Sequence, residues 1–239
     1  LRKWLGIELV EVSFTEKAVA ALGGGLSILV LVAISTWAIP DQGAAALIAS
    51  MGASAVLLFG VPHGQLSQPW PVLAGHGVAA VIGVACSQMI SSPLFATACA
   101  VGLAIGAMHQ LKCIHPPGGA TAFTAVMGGS AIHDLGYRFV LVPVLANAAV
   151  MVLLAVLINY AFKWRRYPAV LSRPSHAPIP VMRGGPEPPT HDAIVAAMKS
   201  LDSFVDISEQ DLIRLVALVS RQTITNPLNK SDHGNWERG

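Results

Sequence analysis

The chain has 239 residues, of which 54% are hydrophobic and 12% are charged, and its mean hydropathy is +0.60. Soluble domains carry about 25% charged residues, so this composition excludes an ordinary soluble protein and predicts a membrane protein. The charges are also unevenly placed. Within residues 18–162 the charged side chains are Asp41, Lys112, Asp134 and Arg138. The chain therefore divides into an apolar membrane body and a polar C-terminal tail.

The predicted elements begin with residues 1–17, which mix apolar and charged side chains as a segment lying along the membrane surface does; the alternative is a frayed terminus. Five apolar runs follow that approach the roughly 20 residues needed to cross a bilayer. They are 18–39, 44–61, 72–90, 94–111 and 138–162. A sixth run, 115–127, is too short for a comfortable crossing as a regular helix.

Basic residues flank this membrane body on both sides. Arg2, Lys3 and Lys17 precede the first run, and Lys163, Arg165 and Arg166 follow the last. The positive-inside rule then predicts that both termini are cytoplasmic, which requires an even number of crossings. Six crossings fit if the short run counts as one, and four fit if it is buried or re-entrant. We expect a multi-pass protein of the inner (plasma) membrane.

Two stretches of the body resemble each other. Residues 51–55 correspond to 118–122, and downstream 71–75 correspond to 143–147. This order predicts two repeats of three segments, about 18–90 and 94–162. A repeat with three crossings reverses its orientation in the second copy, and interrupted segments at matching places then indicate the binding site. The fold class predicted is an all-α polytopic transmembrane bundle with inverted repeats and broken helices at 50–55 and 115–122.

His115-Pro116-Pro117 is the most distinctive motif of the chain. Two prolines lack backbone donors, and the first forces His115 out of helical geometry, so the chain breaks there and restarts as a helix. In lipid such a break survives only where protein or water satisfies the freed backbone groups. The alternative is a proline-glycine turn that joins two spans, with His115 capping a helix end.

A helix that restarts here predicts a site for a small anion. The free N–H groups around Gly119, Ala120 and Thr121 would point into the protein interior, where they favour negative charge. His115 would stand at the edge of the site as a further donor. Gly118 and Gly119 would allow close approach of the backbone.

Several motifs in this order resemble the HPP family of integral membrane proteins. They are residues 50–60, Gln68-Pro69, Gly75-His76 and 115–122, and the resemblance covers essentially all of 18–162. It implies a transporter, and since some plastid and cyanobacterial members transport nitrite, nitrite is the first substrate to expect. Members are usually described with four spans. The chain departs from the family pattern at Trp70, where we expect a basic residue.

Four further polar residues are candidates for the anion path. Ser54 and Thr121 lie at matching repeat positions, as His76 and Asn147 nearly do, and uncharged polar groups hold a small anion without trapping it. The alternative for each is a structural hydrogen bond within or between helices. The predicted spans contain no Asp or Glu, which weighs against a cation pump and leaves histidine as the proton carrier. Channel-like passage and histidine-linked symport both stay open.

Two other classes of function are weighed against transport of an anion. His109 and Cys113 share a helix face near His115, a pattern that would suit zinc or copper, but no second ligand pair is spaced to match. We therefore expect no metal and no cofactor. No nucleophile-base pair or nucleotide-binding glycine motif stands out, so we expect neither an enzyme nor a nucleic-acid partner. Homo-oligomerisation stays open.

The tail suggests the main alternative function. Prolines in 167–189 predict an extended linker, two amphipathic helices are expected in 190–225, and 226–239 is expected to be disordered. With 1–17 as the interfacial segment, the transmembrane domain is 18–166. The chain is then either a small-anion transporter or channel, or a membrane-anchored regulatory or scaffold protein that acts through this tail, with a metal-ion transporter as the third alternative.

Overall fold

The computed structural model describes residues 13–38 and 43–171, together with the isolated positions 212 and 215. Nearly all of the predicted linker, the tail helices and the C-terminus lie outside the described residues, as does most of the interfacial segment. The described ranges contain helices and turns and no strand. The helices are α1 (Phe14–Ala38), α2 (Gly43–Gly60), α3 (Pro69–Met89), α4 (Pro93–Gln110), α5 (Pro116–Met127), α6 (Ser130–His133) and α7 (Ala146–Tyr160).

The all-α transmembrane fold is confirmed. Four helical stretches of the described residues are long and apolar enough to cross a bilayer. They are Phe14–Ser35, Pro69–Met89, Pro93–Gln110 and Val140–Tyr160, and Ala49–Gly60 is a shorter apolar helix. The helices α3, α4 and α5 each begin at proline, whose fixed φ suits the first helical turn.

The helix α1 begins four residues before the expected start at Ala18, because Ser13 caps it. The Ser13 Oγ accepts a hydrogen bond of 3.2 Å from the Glu16 backbone N–H. Serine followed three residues later by glutamate predicts a capping box, and this bond is one of the two hydrogen bonds of that motif. Glu16, in the first turn of α1, therefore lies at the end of the bundle and forms an ion pair with Arg165.

The predicted segment 138–162 is not one regular helix. Val142 has φ −131° and ψ 115°, which is outside the helical region, and the regular helix α7 starts only at Ala146. The physical reason is Pro143, because proline disfavours helical geometry in the residue before it. The run is still long and apolar enough to cross a bilayer over Val140–Tyr160, with this break near its start.

The segments run between two ends of the bundle. At one end, Arg165 hydrogen-bonds Glu16 at the start of α1 and the Phe59 carbonyl at the end of α2. We call this the Arg165 end.

The helix α5 is parallel to α3 and leads away from the Arg165 end. Gly75 and Gly83 of α3 pack against Gly118 and Ala125 of α5 respectively. The 12 residues of α5 span only about 18 Å.

The Arg165 end is closed by hydrogen bonds from the residues that follow α7. Besides Glu16, the buried Arg165 guanidinium donates to Asn159 Oδ1 over 3.2 Å. The Tyr167 hydroxyl donates to the Ser67 carbonyl over 2.8 Å. Burial raises the pKa of the Tyr167 phenol, so its hydroxyl stays a donor at physiological pH. Residues 165–167 thus hold the α2–α3 connection in place.

Glycine contacts bring α5 close to α3 and thereby position the site. A Cβ atom added to Gly75 would lie 2.7 Å from the His115 Cβ, and one added to Gly118 would lie 2.9 Å from the Gly75 carbonyl oxygen. Real Cβ atoms do not approach so closely, so only glycine fits at these two positions. A third tight contact, of Gly83 with Ala125, extends the interface along both helices.

Candidate functional site

Four buried polar side chains meet where α2, α3 and α5 come together. The Ser54 Oγ lies 2.9 Å from the Nε2 atom of His76 and 2.9 Å from the Nε2 atom of His115. On the other side of His76, the Nδ1 atom lies 2.7 Å from the Thr121 Oγ1. The His115 Nδ1 lies 2.9 Å from the Leu66 carbonyl oxygen. We call Ser54, His76, His115 and Thr121 the histidine cluster.

The histidine cluster is removed from solvent. All four of its side chains have zero relative exposure. The helices around it, α2, α3, α4 and α5, contain no Asp, Glu, Lys or Arg. A polar group in such surroundings is costly unless it is hydrogen-bonded, and here each member has at least one partner within the cluster.

The local backbone geometry positions each histidine side chain. His115 precedes α5 with φ −140° and ψ 99°, the extended conformation that a following proline imposes. This conformation places its ring beside α2 and the 3₁₀ turn Gln65–Ser67. His76 lies seven residues into α3, about 10 Å along its axis. The two imidazole rings are 4.9 Å apart between centroids and meet edge to face at 65°.

The partners fix the proton positions when both rings are neutral. A carbonyl only accepts, so His115 donates from Nδ1 to Leu66 and accepts at Nε2. The Ser54 hydroxyl then donates to His115 and accepts from the Nε2–H of His76. The Nδ1 of His76 in turn accepts from the Thr121 hydroxyl. The cluster is therefore a continuous chain of donors that runs from Thr121 to the Leu66 carbonyl.

Carbonyl oxygens of the helices offer both hydroxyls a second acceptor. The Ser54 Oγ is also 3.3 Å from the Ser50 carbonyl oxygen, and the Thr121 Oγ1 is 3.5 Å from the Pro117 carbonyl oxygen. These are the bonds to the residue four positions earlier that serine and threonine commonly form in helices. Each hydroxyl can therefore turn its proton away from the neighbouring ring without losing an acceptor.

The structure brings together Ser54, His76, His115 and Thr121, but it places Asn147 elsewhere. The Asn147 amide donates to the Ser35 hydroxyl on α1 over 3.4 Å, which is the structural alternative for this residue. Gly118 packs on α3 at Gly75, and a Cβ atom on Gly119 would meet nothing within 4 Å. Gly118 therefore serves close packing, whereas Gly119 forms no such contact.

The expected free N–H groups at the start of α5 are not available, which corrects the prediction of a backbone anion site. Pro116 and Pro117 occupy the first two helical positions and have no N–H. The Gly118 N–H donates to the His115 carbonyl over 2.8 Å. Gly119, Ala120 and Thr121 lie far enough into α5 to form ordinary bonds to the residue four positions earlier. The donors of the site are therefore side chains.

The metal-binding alternative gains no support from the geometry. His109 is exposed on α4, whereas Cys113 is buried, and both ring nitrogens of His115 are within hydrogen-bond distance of other groups. Among the described residues, no three His, Cys, Asp or Glu side chains are grouped to hold a metal ion.

One contributor to the site was not found from the sequence. The Leu66 carbonyl oxygen anchors His115, and it belongs to the 3₁₀ turn Gln65–Ser67 between α2 and α3. A main-chain acceptor in a connection has no residue signature. The only sequence signal nearby is the Gln68-Pro69 pair, whose glutamine side chain donates to the carbonyls of Pro62 and Gly64 and so shapes this turn.

Comparison with known proteins identifies relatives of the membrane body. A family model described as "HPP, transmembrane region" matches residues 10–168. Two Dictyostelium discoideum proteins, each named as a transmembrane protein, are 36% identical to the chain over 180 and 173 residues. The alignments cover 70% of this chain but only 61% and 55% of those relatives. No solved structure matches the chain.

Proposed function

The chain belongs to the HPP transmembrane family, and we propose that it carries a small inorganic anion, nitrite first, across the inner (plasma) membrane by way of the histidine cluster. One observation carries this proposal. Two histidines and two hydroxyls form a fully buried polar cluster where α2, α3 and α5 meet, among helices that carry no Asp, Glu, Lys or Arg. Ionisable groups inside a membrane are costly, and they mark transport paths more often than structural positions.

The chemistry of the cluster suits a small oxyanion. Nitrite presents two oxygen acceptors, and the donors available are the two hydroxyls and the N–H groups of the two rings. Because α2, α3, α4 and α5 carry no Lys or Arg, no permanent positive charge would trap the anion. Binding that is favourable enough for entry and weak enough for release is the condition for conduction.

Transport by this route requires the cluster to open. In the structure its members bond to one another at zero exposure, so an anion reaches them only if α2 moves relative to α3 and α5. Ser54 is the central member, since it is the one that contacts both rings. An anion that replaces Ser54 as the partner of both rings would accept one hydrogen bond from the N–H of His76 and another from the N–H of a protonated His115.

Nitrite uptake into proteoliposomes tests the proposal. The purified chain of 239 residues is reconstituted, and uptake is corrected for protein-free vesicles, because nitrous acid crosses lipid unaided. We expect protein-dependent uptake that competing nitrate or formate reduces, and at least a tenfold loss in His115→Ala. His109→Ala is the matched control, because His109 is exposed on α4 and its replacement should leave uptake unchanged.

A second pair of variants separates chemistry from packing at the same site. Thr121→Val keeps the side-chain shape and removes the hydroxyl that hydrogen-bonds His76, whereas Thr121→Ser keeps the hydroxyl. We expect uptake to fall in the first variant and to be retained in the second. If folded wild-type protein takes up none of the three anions, the proposal fails, and a regulatory or scaffold role through the tail becomes the better hypothesis.

A further inference from the structure

We infer that the anion moves together with a proton, and that the histidine cluster is the site that holds this proton. The inference rests on the proposed function and adds a coupling ion to it. Its basis is the cost of placing a negative charge inside an apolar bundle. An anion inside the bundle needs a compensating positive charge, and within α2, α3, α4 and α5 only histidine can supply one, because these helices lack Lys and Arg.

The other ionisable groups near the two rings support this assignment. Cys113, two residues before His115, is buried and gains no positive charge on protonation. Lys112 is exposed at the end of α4, and the buried Arg165 is paired with Glu16. The 3₁₀ turn next to His115 contributes the Leu66 carbonyl oxygen. Each ring therefore has the other, 4.9 Å away between centroids, as a neighbouring group able to become positively charged.

The cluster can accept one proton with every donor still bonded. When His115 is protonated at Nε2, it donates to Ser54 and keeps its Nδ1–H bond to Leu66. The Ser54 hydroxyl then donates to the Ser50 carbonyl oxygen, 3.3 Å away. A proton on His76 is accommodated in the same manner, because Thr121 can donate to the Pro117 carbonyl oxygen at 3.5 Å.

The same contacts allow the proton to pass between the rings. With a proton on His115 and the Nδ1–H form of neutral His76, the Ser54 hydroxyl donates to the Nε2 of His76. His115 then gives its Nε2 proton to the Ser54 oxygen as Ser54 gives its own proton to His76. One O–H bond and one N–H bond form while one of each breaks. The positive charge moves across the cluster without displacement of a heavy atom.

The ring separation limits the cluster to one proton at a time. The centroids of the two rings are 4.9 Å apart, and two positive charges at that distance in an apolar interior repel strongly. A single imidazolium beside a single monovalent anion is neutral as a pair. The geometry therefore favours a stoichiometry of one proton per anion, and the transported unit carries no net charge.

Electrical neutrality gives a measurement that separates symport from ion conduction. Proteoliposomes containing a pH dye are loaded with potassium, and valinomycin sets the membrane potential. A tenfold potassium gradient oriented to make the interior positive should concentrate a freely conducted monovalent anion about tenfold inside. For the symport proposed here, we expect the protein-dependent uptake of nitrite to be unchanged by that potential and to acidify the interior by one proton per nitrite.

Variants of both histidines supply an independent readout. The double variant His76→Gln/His115→Gln keeps a hydrogen-bonding side chain at each position but leaves the cluster unable to hold a proton, so any uptake that remains should respond to potential and lose its acidification. His109→Gln is the control and should behave as wild type. A purely structural role for the two rings would lower the rate without changing the ratio of protons to nitrite.

The outcomes distinguish this inference from the proposed function. Wild-type uptake that follows the potential and leaves internal pH at the protein-free baseline refutes proton coupling and leaves anion transport standing. Absence of protein-dependent uptake refutes the transport proposal itself. The wild-type measurement decides both questions even if the double variant does not fold.

Discussion

Replacement of Gly75 with alanine would place a methyl group where α3 touches α5. The added Cβ atom would lie 2.7 Å from the His115 Cβ and 2.9 Å from the Cys113 carbonyl oxygen. Carbon atoms pack best at about 3.5–4.0 Å, and neither neighbour can rotate away, because one is a Cβ and the other is main chain. The start of α5 must therefore retreat by roughly 1 Å, and His115 moves with it.

Two opposing terms set the size of the effect. Overpacking a tight interface costs about 1–3 kcal/mol, and rigid neighbours put Gly75→Ala at the upper end of that range. Alanine in place of glycine stabilises a helix interior by about 0.5–1 kcal/mol. The net loss is then about 2 kcal/mol, which corresponds to a Tm lower by about 4–8 °C for a chain of this size.

Gly119 offers a matched control on the neighbouring helix. Alanine there meets nothing within 4 Å, so only the gain in helix stability applies, and Tm should rise by about 1–4 °C. Gly118→Ala should behave like Gly75→Ala, because its Cβ atom would lie 2.9 Å from the Gly75 carbonyl oxygen.

The assay is recovery of monodisperse protein from detergent after heating, followed by size-exclusion chromatography, with nitrite uptake measured on the same variants. We expect Gly75→Ala to melt below Gly119→Ala and to transport more slowly, because a shift of His115 breaks its contact with Ser54. If Gly75→Ala melts at or above Gly119→Ala, α3 and α5 do not pack as closely as described, and the argument for the histidine cluster loses its geometric basis.

Two further predictions concern other parts of the bundle. Arg165→Gln removes the buried partner of the part-buried Glu16 and should lower the free energy of unfolding by about 1–3 kcal/mol, whereas Lys112→Gln, at an exposed charge, should change thermal stability in detergent little. In lipid vesicles N-ethylmaleimide should leave the native chain unlabelled, because Cys86 and Cys113 are buried and Cys99 is exposed on a membrane-spanning helix, where its thiol faces lipid and forms no thiolate. Mass spectrometry should show three adducts after unfolding in SDS, and two native adducts would contradict the packing.

Helix positions followed from local sequence because their causes are local. Long apolar runs predicted α3 and α4, and the two prolines of the His-Pro-Pro motif predicted α5, within a few residues. The interruption at Val142 also has a local cause, since Pro143 follows it, but the strong apolar character of the run concealed it. The predicted inverted repeat is a relation between distant segments, and it stays a prediction.

The site was only partly predictable, because its assembly depends on tertiary contacts. Matching repeat positions selected Ser54 and Thr121, and the structure places both against His76. The same alignment selected Asn147, whose amide instead bonds Ser35 on α1. Sequence similarity gives a position along a helix, but the face presented to a neighbour depends on helix rotation. The parallel packing of α3 on α5 determines which polar side chains meet.

The role of the His-Pro-Pro motif follows from what its prolines remove. A helix ordinarily begins with unpaired N–H groups, which are expensive inside an apolar bundle. Pro116 and Pro117 have none, and the Gly118 N–H is already bonded to the His115 carbonyl, so α5 can begin among apolar helices without exposed donors. The prolines also hold His115 extended, with its ring against Ser54. The motif thus replaces fixed backbone donors with one titratable side chain, which is why a bound anion and a proton would be linked at this position.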